Sequence, residues 1–396
     1  MYTLPSQMEP MFPSQSPVLE DLVLSLSQKA QSLGALLHPI TCQEIAKLLT
    51  YTNTYYSNLI EGHNTKLLDI ERAMHADFSK DLSKRALQLE AKAHVEVAQE
   101  INAALKANTH LDIFSQEFIQ EIHRAFYQRL PEDFYTILHP RTQEQIIIEP
   151  GMLRKQDVQV GQHIAPSYQV LPLFLEYFQK RYEFINLSGI QKIIAIAASH
   201  HRLSWIHPFL DGNGRVTRLL TNAAFKQLHL DAQGLWSISR GLARNRDGYY
   251  AALTQGDLPR QGDLDGRGNL SDKGLHYFCE FFLTTAIDQL DFMQQLLNLD
   301  SLTARVMYYL ELRERGGISG AKPIRVEAQF LLKDVLLRGE VSRGEVSRIT
   351  GLKERTARTL VSELLQADLL QSTSIRSPLR IKIPVAVGEY YFPKLY

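Results

Sequence analysis

The sequence predicts a mainly α protein: a helical bundle broken by a small β-hairpin, with a C-terminal winged helix-turn-helix domain. Three observations carry this. Apolar residues recur at three- and four-residue spacing from Val18 to about Phe126, and again, with breaks, from Leu171 to about Arg315. Between Tyr135 and Gln169 the period changes, and "EQIIIEPG" and "QDVQVGQHI" are short, β-branched and bounded by Gly and Pro, which predicts the hairpin. After "RERGGISGAKP", which reads as a linker, three short helical stretches precede a pair of strands in "STSIRSPLRIKIP".

A chain of 396 residues exceeds what one core usually holds, so several domains are expected. The boundaries read as an extended, Pro- and Ser-rich arm over 1–17, an N-terminal helical region over 18–115, a central domain over 116–300 and the winged helix over 301–396. The glycine-rich "QGDLPRQGDLDGRGNLSDKG" reads as a surface loop. Forty-three basic residues balance forty-three acidic ones, so the whole-chain charge gives no reason to expect nucleic acid, although a local patch stays open. Cys42 and Cys279 match no metal or redox spacing and suit a reducing compartment. The N-terminus lacks the basic start and apolar run of a signal peptide, and no stretch is apolar enough to span a bilayer. A cytoplasmic protein without membrane partners is the expectation.

Chemistry concentrates in "HPFLDGNGRVTR", residues 207–218. Helical patterns lead in through "IQKIIAIAASHHRLSWI" and out through "RVTRLLTNAAFKQL", so the segment is a loop opening onto a helix N-terminus. Gly212 and Gly214 permit close backbone approach, and their N–H groups with the helix dipole make an anion site. Arg215 and Arg218, three apart, share a helix face. Asp211 is a hard oxygen ligand suited to Mg²⁺, and His207 can serve as a general base near neutral pH. A Gly-Asn-Gly turn alone is ordinary; all six polar elements in this order are hard to obtain from packing.

The stretch resembles the signature of Fic-domain proteins, His-x-Phe-x-Asp/Glu-Gly-Asn-Gly-Arg-x-x-Arg, at every position, and the likeness extends over roughly Ile119 to Leu253. The resemblance implies a protein adenylyltransferase that moves AMP from ATP, with Mg²⁺, to a Ser, Thr or Tyr hydroxyl of a protein, itself included. It assigns deprotonation of the acceptor to His207, loop anchoring to Phe209, Mg²⁺ to Asp211, phosphate oxygens to Asn213 and the Gly212 and Gly214 amides, the β-phosphate to Arg215 and the γ-phosphate to Arg218. Doc-like members, which are kinases, carry lysine where this chain has Gly214; the motif alone leaves another nucleotide donor open.

Upstream, "SNLIEG" resembles the family's inhibitory motif at Ser57, Glu61 and Gly62. The resemblance implies a helix-borne glutamate that pairs with Arg218 and leaves ATP misoriented. The hairpin around "VQVGQHIAP" looks like the family's flap, with Gly161, His163 and Ile164 as its target-binding part; a plain surface hairpin is the alternative. Asn245, Tyr249 and Tyr250 resemble residues lining the nucleoside, although tyrosine there can simply pack the helix. Adjacent His200 and His201 point in different directions on a helix, so no metal is assigned to them, and His201 reads as a packing residue beneath the loop.

In "RGEVSRGEVSRITGLKERTARTLVSELLQADLLQ", Gly351 makes the turn and Lys353, Arg355 and Arg358 lie at the start of the recognition helix, with Arg376, Arg380 and Lys382 on the wing. DNA is therefore a candidate partner, beside a protein substrate and a second copy of the chain; Glu354 and Glu363 interleave, which favours a protein-binding module instead. Two other readings stay open: a DNA-binding transcription regulator with a sensory Fic domain, and an enzyme that removes AMP, the glutamate positioning water.

Overall fold

The computed structural model describes residues 2–138, 143 and 145–396 and is mainly helical. It divides into two compact units: residues 1–28, 53–230 and 237–289 form the first, and residues 29–52, 231–236 and 290–396 the second. The expected boundaries near 115 and 300 are thus not where compactness divides the chain: most of the 18–115 region joins the first unit, and residues 29–52 join the second.

The first unit is built around the helix Gly189–Ile206, which begins in a capping box of Ser188 and Gln191. From Ala195 onward nearly every side chain of this helix is buried. A helix hydrophobic all round belongs at the centre of a bundle. It packs against the helices Leu171–Tyr182 and Asn213–Gln227, the latter also touching Leu82–Ala107 and Gln116–Tyr127. Asp81 and Ser115 cap the N-termini of those last two through side-chain oxygens. The helix Pro39–Ile60 ends one residue before Glu61. Among the described residues no helix is long and apolar enough to cross a membrane.

Where one hairpin was expected, two form. Thr136–Leu138 pairs with Gln145–Ile147, and Gln159–Val160 pairs with His163–Ile164. The two β-branched runs are therefore not partners of each other, and Glu144 of the first lies outside the described residues. The arm is docked rather than free. Met8 and Met11 are fully buried, and Arg202 donates to the Pro10 carbonyl. The glycine-rich loop is likewise organised by a buried carboxylate, Asp265, which accepts from Gln261 N, Lys273 N and Ser271 Oγ.

In the second unit the helix Leu299–Glu314 ends where Arg313, buried, donates to the Lys322 carbonyl and ties down the expected linker. There follow the helix Ala328–Arg338, a strand Glu340–Val341, the helices Val346–Thr350 and Glu354–Gln366, and strands Leu370–Gln371 and Leu379–Ile381. The last strand lies between the other two, antiparallel to both.

His94, His123 and His200 are among the buried histidines of the first unit, and burial pushes each below its ordinary value of 6.5: His94 to about 3, His123 to about 4 and His200 to about 3. The unfolded chain therefore binds more protons than the folded one below pH 6.5, and stability falls with pH from there to about pH 4. Each neutral imidazole costs about 1.4 kcal/mol per pH unit in that window. The urea midpoint followed by circular dichroism is expected to drop steeply between pH 6.5 and 4.5; a flat midpoint would contradict these burials.

Candidate functional site

Residues 207–212 form the loop between two buried helices, and its shape follows from three residues. His207 caps the Gly189–Ile206 helix in the left-handed region, at φ 50°. Gly212 does the same before the next helix at φ 78°, where a Cβ would also come within 3.1 Å of the Tyr127 ring. Only glycine meets both demands cheaply. Asn213 then closes the loop on itself: its Oδ1 accepts from Phe209 N at 2.9 Å and its Nδ2 donates to Phe209 O at 2.8 Å. The expected phosphate ligand is thus engaged as a staple. Phe209 is fully buried and stacks on His123 at 4.0 Å, anchoring the loop to the helix Gln116–Tyr127.

The helix Asn213–Gln227 starts without any side-chain cap. Five other helices of the unit are capped by Asp81, Ser115, Ser188, Ser237 and Asn245, whereas Leu67–Met74 and Leu171–Tyr182 also lack a side-chain cap. Its first N–H groups are left to an external acceptor, and the dipole favours an anion there. Both arginines of the loop lie beside this end and are buried. Arg215 lies over the Phe126 ring at 4.6 Å, contacts Asp211 at 3.1 Å, and leaves buried Nε and Nη1 donors without hydrogen-bond partners. That edge makes no hydrogen bond, with Glu90 3.7 Å from its Nη1, and a ligand that bonded to it would relieve a desolvation cost.

Asp211 stands at the mouth of this cradle. Burial would raise its carboxyl, but Arg215, the Tyr127 hydroxyl at 2.6 Å and the Gly212 amide hold it below the usual carboxylate value, so it stays ionised. Among the described residues no cluster of three or more His, Cys, Asp or Glu side chains forms a metal cage. A single ionised carboxylate beside an anion cradle instead suits Mg²⁺ that arrives with its own phosphates. Burial, reinforced by Arg154 and His163, pushes His207 down to about 4, so its ring is neutral at physiological pH and can accept a proton.

Arg218 is spoken for. Its Nε donates to Ser57 Oγ at 2.9 Å, and its Nη2 reaches Ser57 O at 3.1 Å and Glu61 Oε1 at 2.5 Å. Burial alone would raise the Glu61 carboxyl; Arg218, then Arg215, pull it below its ordinary value. Glu61 also fills the space above Gly214, where a Cβ would meet its Oε1 at 2.2 Å. A lysine at 214 and a carboxylate at 61 could not share that space. Gly62, at φ 89°, turns the chain out of the helix. The following His63 meets Glu90 at 2.5 Å, and Glu90 lies 3.7 Å from Arg215. The hydrogen bond to Glu90 raises the His63 imidazole above its ordinary value despite burial.

The short hairpin at 159–164 is tied to the loop. Buried Arg154 donates to the His207 carbonyl at 2.8 Å and to the Pro166 carbonyl at 2.5 Å, and its N–H donates to Pro208 O. His163 is pinned by its Nε2 to the Trp205 carbonyl at 2.7 Å, while Gly161 forms the turn and Val160 and Ile164 stay exposed. Asn245 is a helix cap accepting from Gly248 N. Tyr249 is buried with its hydroxyl on His200, and only Tyr250 keeps a partly exposed ring, its hydroxyl donating to Ile60 O. His200 also meets Thr221, and His201 contacts the Leu253 carbonyl and Asp257. Tyr127, Glu90, His63, Arg154 and His123 were not singled out in the sequence; a histidine directly after the "EG" of the upstream motif was the one signal on offer.

Comparison with known proteins agrees with this geometry. Residues 113–225 match the model of the Fic/DOC family. "Protein adenylyltransferase Fic" of Drosophila erecta is 28% identical over 199 residues, covering 50% of this chain and 37% of the relative. Its Drosophila virilis counterpart is 26% identical over 204 residues, covering 51% and 38%. The chain thus spans little more than a third of these relatives' own length. In fold, it resembles a Fic family protein from Desulfovibrio desulfuricans, with TM-score 0.53 at 15% identity, covering 97% of this chain and 99% of that one. It also resembles a Fic-1 fragment from C. elegans, with TM-score 0.52 at 17% identity, covering 70% and 72%. Over residues 113–225, which contain the whole 207–218 loop, the chain carries a Fic domain.

Proposed function

We propose that the protein is an adenylyltransferase that moves AMP from ATP to a hydroxyl of a protein side chain, its own included, and that Glu61 holds it in check. The observation that carries the reading is the uncapped start of the helix Asn213–Gln227, flanked by two buried arginines, an ionised Asp211 and a neutral His207. The adenylyltransferase names of the curated relatives support the same chemistry.

The residues divide the work as follows. The Gly214 and Arg215 amides and the two guanidiniums bind the triphosphate oxygens. Asp211 would hold Mg²⁺, which when bound supplies positive charge against those oxygens. His207 takes the proton of the incoming hydroxyl, whose oxygen forms a bond to the α-phosphorus as the bond to the bridging oxygen breaks. Pyrophosphate leaves with that electron pair, and the proton stays on the imidazole until solvent removes it. Charge gathers on phosphoryl oxygens in such transfers, so donors fixed before the reaction supply much of the rate. The exposed edge of the 159–164 hairpin suits an extended target segment added as a strand.

The brake is a competition for Arg218. Glu61 and Ser57 occupy the donors that a γ-phosphate needs, and the Glu61 charge stands where phosphate charge must enter. His63 fastens the end of this segment to Glu90. Protonated His63 strengthens that contact below pH 6.5, and the gain is lost as pH rises through its raised value.

With ATP labelled at the α-phosphate, Glu61→Gly is expected to raise self-labelling at least tenfold, and His207→Ala in that background to abolish it. Label from the γ-phosphate would mean kinase chemistry instead, and equal labelling by wild type and Glu61→Gly would remove the brake. Ser57→Ala, which deletes a hydrogen bond to a charged group worth about 1.5–3 kcal/mol, should fall between those two. The ratio of Glu61→Gly to wild-type labelling should shrink as pH rises above 6.5 and stay flat in His63→Ala; a pH-independent wild-type ratio would exclude His63 as a fastener.

A further inference from the structure

The second unit ends in a fold the chemistry above does not use. From Ala328 the order is helix, strand, two helices, then two strands flanking an exposed loop, with the first strand added to the sheet edge. Val346–Thr350 and Glu354–Gln366 are joined through Gly351 in the left-handed region at φ 69°, the turn geometry of a helix-turn-helix. Ala357, Leu360, Val361 and Leu364 bury one face of the second helix. Its other face presents Arg355, Arg358, Thr359 and Ser362, at i, i+3, i+4 and i+7, all exposed.

Charge separates across this domain. Residues 328–396 hold eleven Lys and Arg against seven Asp and Glu, a net charge of +4 in a chain that is neutral overall. Four of the seven acids are paired with bases away from the exposed helix face: Glu340 with Arg380, Asp368 with Lys382, Asp334 with Arg338, and Glu345 with Arg338 and Arg348. Arg380 and Lys382, expected on the wing, are thus committed within the sheet region. Glu354 meets Arg358 at 3.4 Å, with both side chains more than three-quarters exposed, a pairing that competes weakly with a phosphate. Lys353, Arg355 and Arg376 are exposed.

The loop between the last two strands is shaped as a wing. Arg343 donates to the Ser377 carbonyl, and Ser372 Oγ donates to the Ser374 and Ser377 carbonyls. This mesh holds out Ile375, 87% exposed, beside Arg376. An apolar side chain next to an arginine on a braced tip is the kit with which proteins enter the minor groove.

We propose that residues 328–396 are a winged helix-turn-helix that binds duplex DNA. The helix Glu354–Gln366 enters the major groove through Arg355, Arg358, Thr359 and Ser362. Lys353 meets a flanking phosphate, and the Ile375–Arg376 tip reaches the adjacent minor groove. The proposal stands independently of the adenylyltransferase reading.

The test is fluorescence anisotropy of the full chain with a labelled mixed-sequence duplex from 50 to 200 mM KCl. Saturable binding is expected, with log K falling linearly against log salt by about 0.9 per phosphate neutralised, so a slope near −3 to −5. Arg355→Glu with Arg358→Glu should weaken binding at least tenfold and flatten the slope by about two. The same charge change at Lys322 and Lys333 should alter affinity less than twofold. No saturable binding at 50 mM KCl would overturn the proposal and leave the face to a protein partner. Equal losses in the two double variants would also overturn it, by reducing the attraction to bulk charge. All these side chains are exposed, so both variants should keep the wild-type circular dichroism.

Discussion

Arg218 is buried, and where the buried Arg154, Arg202 and Arg313 are satisfied mainly by carbonyl oxygens, it holds a carboxylate. That partner sets the electrostatics of the site. The helix that carries Arg218 begins without a cap, so its dipole and free amides add to the demand for negative charge at the same place. Ser57 and Glu61 meet that demand from within the chain. In the proposed function, a nucleotide's phosphates meet it from outside. The two solutions would exclude each other because they use the same donors, and Glu61 already lies over Gly214. Inhibition in this reading needs no large rearrangement, only a contest for one side chain.

Ser57 and Glu61, the proposed brake, sit at a helix end, where the contest can be adjusted. Ser57 is fully buried, whereas the Glu61 side chain is about one-third exposed. Beyond Glu61, Gly62 turns the chain and His63 clips it to Glu90, which also faces Arg215. Both signature arginines are thereby linked to the segment that restrains them. His207 and Asp211 on the other side of the loop are held by different elements: Arg154 grips the His207 carbonyl, and Tyr127 fixes Asp211. In the proposed function, releasing Glu61 would therefore leave His207 and Asp211 in place.

The loop was legible in the sequence because its chemistry is contiguous. Twelve residues carry their own turn glycines, anion donors and base, and the flanking periodicities declare the two helices that hold them. The Glu61–Arg218 pair lies 157 residues apart in sequence and was reachable only through the short "SNLIEG" match. Glu90, Tyr127, Arg154 and His123 were out of reach. They are ordinary residues on amphipathic helices or connecting chain, and tertiary packing alone decides which face meets the site. Asn245 and Tyr249 mislead in the opposite direction, since capping and core hydrogen bonds consume their polar atoms. The hairpin pairing was misread because Thr136–Leu138 is three residues long and carries too little periodicity to announce itself. The arm reads as free chain from composition, yet Arg202 satisfies backbone carbonyl oxygen there and buries it.

In the proposed function, Arg218 exchanges a carboxylate for a phosphate. A crystal structure of Glu61→Gly with ATP and Mg²⁺ measures that directly. The Arg218 guanidinium should lie within hydrogen-bonding distance of the terminal phosphate, with the α-phosphate beside His207. An empty cradle, or a triphosphate bound with Arg218 still on Ser57 alone, would contradict it.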